Sequence, residues 1–282
     1  MKKNLLKTLP LLLAAIVLTS CSGGDIYSGN YTEVTGDDLT TIIDNYNEDI
    51  QHSKEVNVNR KVIEKFFIQS VDEKNEKNNI TATYSAESLT SRAKLNTEYI
   101  WSYYTKTNMS IDAVSLVGGK GTFLFEKWVI NKKDFSNPEE SYTNYSIDIN
   151  SENGNINLSG KVKGNAPANA SIYQSLISSL IGQIPASNLT LDSHGAFYSK
   201  LQNKNTKVSK CGDNKLKLEF EEDDLKINFY CIKNDSGRLG YKYEIPESTI
   251  TIDGLKTTVS YVGEYIPVDT IVSAPTDKDS YK

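Results

Sequence analysis

Two histidines, three cysteines and one alternating run of aromatic residues are the parts of this 282-residue chain best suited to form a site. His52 and His194 each lack a second histidine or a cysteine at metal-ligand spacing, so both read as solvated or capping residues and no metal centre is expected. The acid pairs Glu139-Glu140 and Asp223-Asp224 stand in polar turns, where carboxylates stay hydrated. The stretch from Asp148 has the outline of a calcium loop, but Gly154 falls one place late and Ser159 occupies the position that needs a bidentate glutamate. No nucleophile elbow, phosphate loop or zincin helix is present in the sequence. The expectation is a protein without catalysis and without a cofactor. Tyr99, Trp101 and Tyr103 alternate onto one face of a strand, with Tyr104 opposite. Such a strip serves as core packing, as a stacking platform for sugars or as one wall of an apolar pocket.

Hydrophobic spacing predicts the elements that would position these side chains. Residues 35–51 predict a helix, because Leu39, Ile42, Ile43, Tyr46 and Ile50 recur at helical spacing. Thr35-Gly36-Asp37-Asp38 offers a capping hydroxyl and carboxylates at its start. Strand candidates follow at 61–71, 80–84, 96–106 and 123–130, rich in β-branched and aromatic residues. Residues 146–150 and 155–162 flank Ser151-Glu152-Asn153-Gly154, and Asn-Gly between two alternating runs is a hairpin signal. Residues 168–184 predict a second helix with an apolar stripe through Ile172, Tyr173, Leu176, Ile177 and Leu180, stopped by Pro185. Its other face carries glutamine and serine but no lysine or arginine, which does not suit a helix lying in a membrane interface. It reads as a core helix on a sheet, or as a lid in which Ile172, Leu176 and Leu180 contact an apolar ligand. From Leu189 onward short strands are expected, at 215–221, 225–231, 239–244, 249–252 and 255–262, with turns at Glu222-Asp223-Asp224 and Asp253-Gly254.

The leader is organised differently. Residues 1–20 have a basic start, a mostly apolar run from Leu9 to Leu18 and small residues before Cys21, the pattern of a secretory signal peptide. The run is too short for a membrane span, which needs about 20 apolar residues. Leu18-Thr19-Ser20-Cys21 resembles the lipobox of bacterial lipoproteins. That resemblance implies cleavage between Ser20 and Cys21 and a diacylglyceryl group on the Cys21 thiol. It further implies a lipid-anchored domain at the cell membrane, facing outside the cytoplasm. Each buried methylene contributes about 0.8 kcal/mol, so two acyl chains hold where one chain anchors only marginally. Residues 21–34 then read as a flexible tether, able to reach about 46 Å at full extension.

Removing Lys2, Lys3 and Lys7 with the leader takes the formal charge from −5 three units further negative. An acidic domain of this kind has no electrostatic footprint for nucleic acid. The remaining cysteines, Cys211 and Cys231, form the even pair that an exported domain can close as a disulfide. The outcome depends on Gly212. As a bulge within one strand, the reading expected here, it lets the thiols meet; as a true turn it puts Cys211 on the next strand but one, with Cα atoms about 9–10 Å apart, too far for a bridge.

The expected fold is α+β: one domain over residues 35–271 with a large, curved, mostly antiparallel sheet, half-barrel-like, and two helices on one face. Residues 272–282 are polar and expected to be disordered. In its order of elements the domain resembles the half-barrel lipid carriers of bacterial envelopes; none of their motifs is matched, so no binding residue carries over. Two functional expectations follow. One is a non-enzymatic lipoprotein binding an apolar or lipid ligand. The other is a surface interaction or adhesion module that binds an envelope protein or a glycan, with Tyr99, Trp101 and Tyr103 in contact.

Overall fold

The computed structural model describes residues 25–55, 59–95, 98–133, 137–138, 140–182, 193–222, 224–252 and 254–282. Twelve strands form one antiparallel sheet: β1 (Thr32–Glu33), β2 (Asn59–Val71), β3 (Ile80–Leu95), β4 (Glu98–Ala113), β5 (Gly119–Lys133), β6 (Glu140–Ser151), β7 (Gly154–Lys163), β8 (Lys207–Cys211), β9 (Lys215–Glu222), β10 (Leu225–Lys233), β11 (Leu239–Ile252) and β12 (Leu255–Val268). Their order is β1-β8-β9-β10-β11-β12-β2-β3-β4-β5-β6-β7. Two meanders, β2 to β7 and β8 to β12, are therefore joined where β12 pairs with β2, from Lys256 opposite Val71 to Val268 opposite Asn59. The sheet is curved and does not close, as the α+β reading expected.

Alternation along the strands divides the sheet into two faces. Phe66, Tyr84, Met109, Phe123 and Ile147 are register partners across β2 to β6 and point to one face. Leu218, Phe229 and Tyr243 form a matching row across β9 to β11. That row continues to Gly263, where a Cβ would lie 2.7 Å from the Tyr261 hydroxyl. Only glycine leaves room for the Tyr261 ring to lie along the sheet there. The helices cover this face. Helix α1 (Asp37–Glu55) buries Tyr46 and Ile50 against β8 to β12, together with Phe197 and Leu201 of α4 (Ser193–Leu201). Helix α3 (Ala168–Gly182) buries Ala170 and Ile177 against β3 to β6, and the single turn α2 (Val114–Val117) links β4 to β5. Ile68 and Tyr84 pack against both clusters, which makes the core continuous.

Four local readings change. Helix α4 occupies a region expected to hold strands. It is nine residues long, too short for a periodic stripe, and packing fixes it: Phe197 is fully buried, with ring centroids 4.9 Å from Phe229 and 5.1 Å from Tyr46.

The described part of the segment read as a tether, Asp25 to Val34, is docked on the face opposite the helices. Tyr27 is 2% exposed beside Tyr230, Asp25 pairs with Lys242 at 3.1 Å, and β1 joins β8. Buried tyrosine surface and ladder bonds outweigh the freedom of the small residues around them.

The tail read as disordered crosses the same face. The Val272 N–H donates to Ser91 Oγ, and Tyr281 is 5% exposed with its ring edge against Trp128 and Tyr142. The Lys282 backbone bonds to Lys161 and Lys163, capping the open edge of β7.

Finally, Cys211 and Cys231 are both free. Gly212 sits at φ +62°, a true turn, so Cys211 lies opposite Lys215 while Cys231 lies opposite Leu216 on the next strand. Lys215 and Leu216 are neighbours on one strand, so the two thiols point to opposite faces of the sheet.

Candidate binding face

The residues singled out from the sequence are not brought together. Tyr99, Trp101 and Tyr103 do share a face of β4, but the Arg92 guanidinium lies 3.3 Å from the Tyr99 ring centroid and 4.7 Å from that of Trp101. The strip is occupied by a cation from the neighbouring strand rather than left as an open platform. On α3, Ile172 is 67% exposed, Leu176 is half-buried and the Leu180 side chain lies outside the described residues. The inward positions are Ala170 and Ile177. Cys21 and its cleavage site at Ser20 also lie outside the described residues, as does the His52 side chain. Among the described residues, no three His, Cys, Asp or Glu side chains could share a metal ion.

His194 is not simply solvated. Its Nδ1 is 2.7 Å from the Tyr241 hydroxyl, which is 2.8 Å from the Tyr46 hydroxyl. Cys231 sits in the same cluster, 3% exposed, with its thiol in contact with both tyrosine hydroxyls. Burial raises the pKa of Cys231 and of both tyrosines, which favours the protonated thiol. The cluster ties α1 and α4 to β10 and β11. Glu64 is a half-buried carboxylate on this face. Burial raises its pKa, partly offset by the hydrogen bond that the Tyr261 hydroxyl donates at 2.8 Å.

The open feature is on the opposite face. Lys65, Ser85, Asn108, Leu124 and Ser146 are register partners across β2 to β6, and Thr83, Ser110 and Thr122 form the next row on the same side. Together they line a trough of about 460 Å³. Phe66, Tyr84, Met109 and Phe123, whose side chains belong to the core, also border it. Strands spaced about 4.8 Å apart make the trough roughly 19 Å long.

One border is a saturated carboxylate. Glu126 meets Lys106 at 3.2 Å and accepts from Asn144 at 2.7 Å and from the Tyr104 hydroxyl at 3.3 Å. The other border is the Lys120–Asp112 pair at 3.0 Å. Beyond Glu126 lies an aromatic bank, with Tyr104 5.0 Å from Trp128 and the docked Tyr281 behind it. Its hydroxyl and amide side chains donate and accept alike, so the trough can bind a polar chain. In the sequence, these residues read only as the polar alternates of ordinary strands.

No family model matches the chain, and no curated protein matches it. Among solved structures, the translocator domain of autotransporter NalP from Neisseria meningitidis aligns at 9% identity and a TM-score of 0.19, over 81% of this chain and 98% of that one. A porin-like protein from Bacteroides uniformis aligns at 11% identity and a TM-score of 0.16, over 74% of this chain and 96% of that one. Likenesses at these scores transfer neither fold nor function. Among the described residues no helix is long and apolar enough to cross a membrane.

Proposed function

We propose that the chain is an envelope lipoprotein, anchored through diacylglyceryl-Cys21 and facing away from the cytoplasm, that binds a glycan in the trough without catalysing a reaction. The observation that carries this reading is the trough: two cross-strand rows in which hydroxyl and amide side chains stand beside Lys65 and Leu124, in a space of about 460 Å³, a volume that falls in the range of small-ligand sites. A polyhydroxyl chain matches such a lining because each sugar hydroxyl finds a group that both gives and takes a hydrogen bond. An apolar or lipid ligand under α3 has less support, since Ala170 and Ile177 are already packed into the core and Ile172 faces solvent.

The test is titration calorimetry with soluble peptidoglycan fragments and a panel of neutral oligosaccharides. Binding by the native chain is expected. Ser110→Leu, which fills the trough from a surface strand position, is expected to raise the Kd about tenfold or more, equivalent to about 1.4 kcal/mol, with Tm unchanged. Equal affinity in the variant would place the ligand elsewhere.

A further inference from the structure

We infer that the trough face is the membrane-proximal face, held against the phospholipid headgroups by the Cys21 anchor. This rests on the proposed acylation of Cys21 and goes beyond it, because the anchor alone does not fix an orientation.

The first observation is where Asp25 docks. Asp25 pairs with Lys242 at 3.1 Å, the Tyr27 N–H donates to Asp25 Oδ1 at 3.0 Å, and Tyr27 is buried. Only Ser22, Gly23 and Gly24 separate that docked point from Cys21. Four Cα–Cα steps span at most about 15 Å. Asp25 stands over the sheet itself, not beyond its end: Lys242 is opposite Glu264 of β12, and β12 also pairs with β2, which contributes Lys65 to the trough. A helix diameter of about 10 Å or more lies on the far side of the sheet. The short link therefore favours contact through the face on which Asp25 docks.

The second observation is independent of the anchor. Ile26 and Ile271 are 51% and 75% exposed, and both belong to the two segments laid across this face. Exposed isoleucines suit the boundary between headgroups and acyl chains. The charges beside them are paired: Asp25 with Lys242, Asp269 with Arg238, and Asp277 with Lys161. Contact through this face thus does not depend on attraction to anionic lipid. It also means that a glycan reaching the trough comes from the plane of the membrane. Ile172 of α3, 67% exposed, is the most exposed competing apolar contact and lies on the opposite side of the sheet; Val114, Leu116 and Ile156 are exposed to a lesser degree.

The experiment uses the full-length, processed protein in vesicles of phosphatidylcholine and phosphatidylglycerol. A fluorophore is placed on Ser146→Cys in the trough or on Gln174→Cys of α3, each in a Cys211→Ser background, and quenched by a nitroxide on the lipid headgroups. Several-fold stronger quenching at position 146 is expected, and Ile26→Asp with Ile271→Asp should reduce it. Equal or stronger quenching at position 174, in protein whose intact mass shows acylated Cys21, overturns the orientation while sparing the anchor. An unmodified Cys21 in the intact mass overturns the anchor and the orientation together.

Discussion

Two tyrosines on one strand, a residue apart, are expected to respond in opposite directions to the loss of a hydroxyl. Tyr241 bonds to His194 and Tyr46, so Tyr241→Phe removes the hydroxyl that joins them and should destabilise the fold by about 1–3 kcal/mol. The Tyr243 hydroxyl is buried with no hydrogen-bond partner among the described residues. Tyr243→Phe should be neutral or stabilising by up to about 1 kcal/mol. Urea unfolding of both variants separates them. Glu64 gives a pH signature. Its folded pKa is raised, chiefly by burial, so it favours folding while protonated. That contribution is lost as pH rises from the ordinary carboxylate range through the raised value. Glu64→Gln should gain stability relative to the native chain as pH rises across that window, read from Tm against pH. A constant difference at all pH values would contradict the burial of an ionising group. The free cysteines predict an unbridged mass and alkylation of Cys231 only after denaturation.

Elements were legible in proportion to their length and alternation. The stripe Leu39, Ile42, Ile43, Tyr46 and Ile50 identified α1, and turn chemistry at Gly154 and Gly254 set two hairpins, where φ is +121° and +80°. Helix α4 was missed because nine residues give no stripe; Phe197 holds it, and Phe197→Ala should cost about 3–5 kcal/mol. Gly212 was read as a bulge and is a turn, since both use glycine, and the difference moves Cys211 to the other face. The two terminal segments were misread because composition averages over Tyr27, Val272 and Tyr281, single side chains that dock an otherwise polar run. Deleting residues 271–282 should uncover Trp128, open the β7 edge and lower Tm by several degrees. An unchanged Tm and emission spectrum would show that the tail adds nothing to the fold.

For the whole molecule, the helices and both core clusters share one face, while the two terminal segments and the trough share the other. The trough was invisible in the sequence for a physical reason. Ser85, Ser110, Thr122 and Ser146 come from four strands, each reads as a solvent-facing alternate, and only long-range register gathers them. The aromatic strip at Tyr99 and Trp101 was conspicuous locally, yet Arg92 from the paired strand covers it. The measurement that tests the central claim most directly is native mass spectrometry of residues 25–282 offered oligosaccharides and a phospholipid extract together. The account predicts sugar adducts that Ser110→Leu abolishes. A retained phospholipid with no sugar adduct would contradict it and return the site to the helix face.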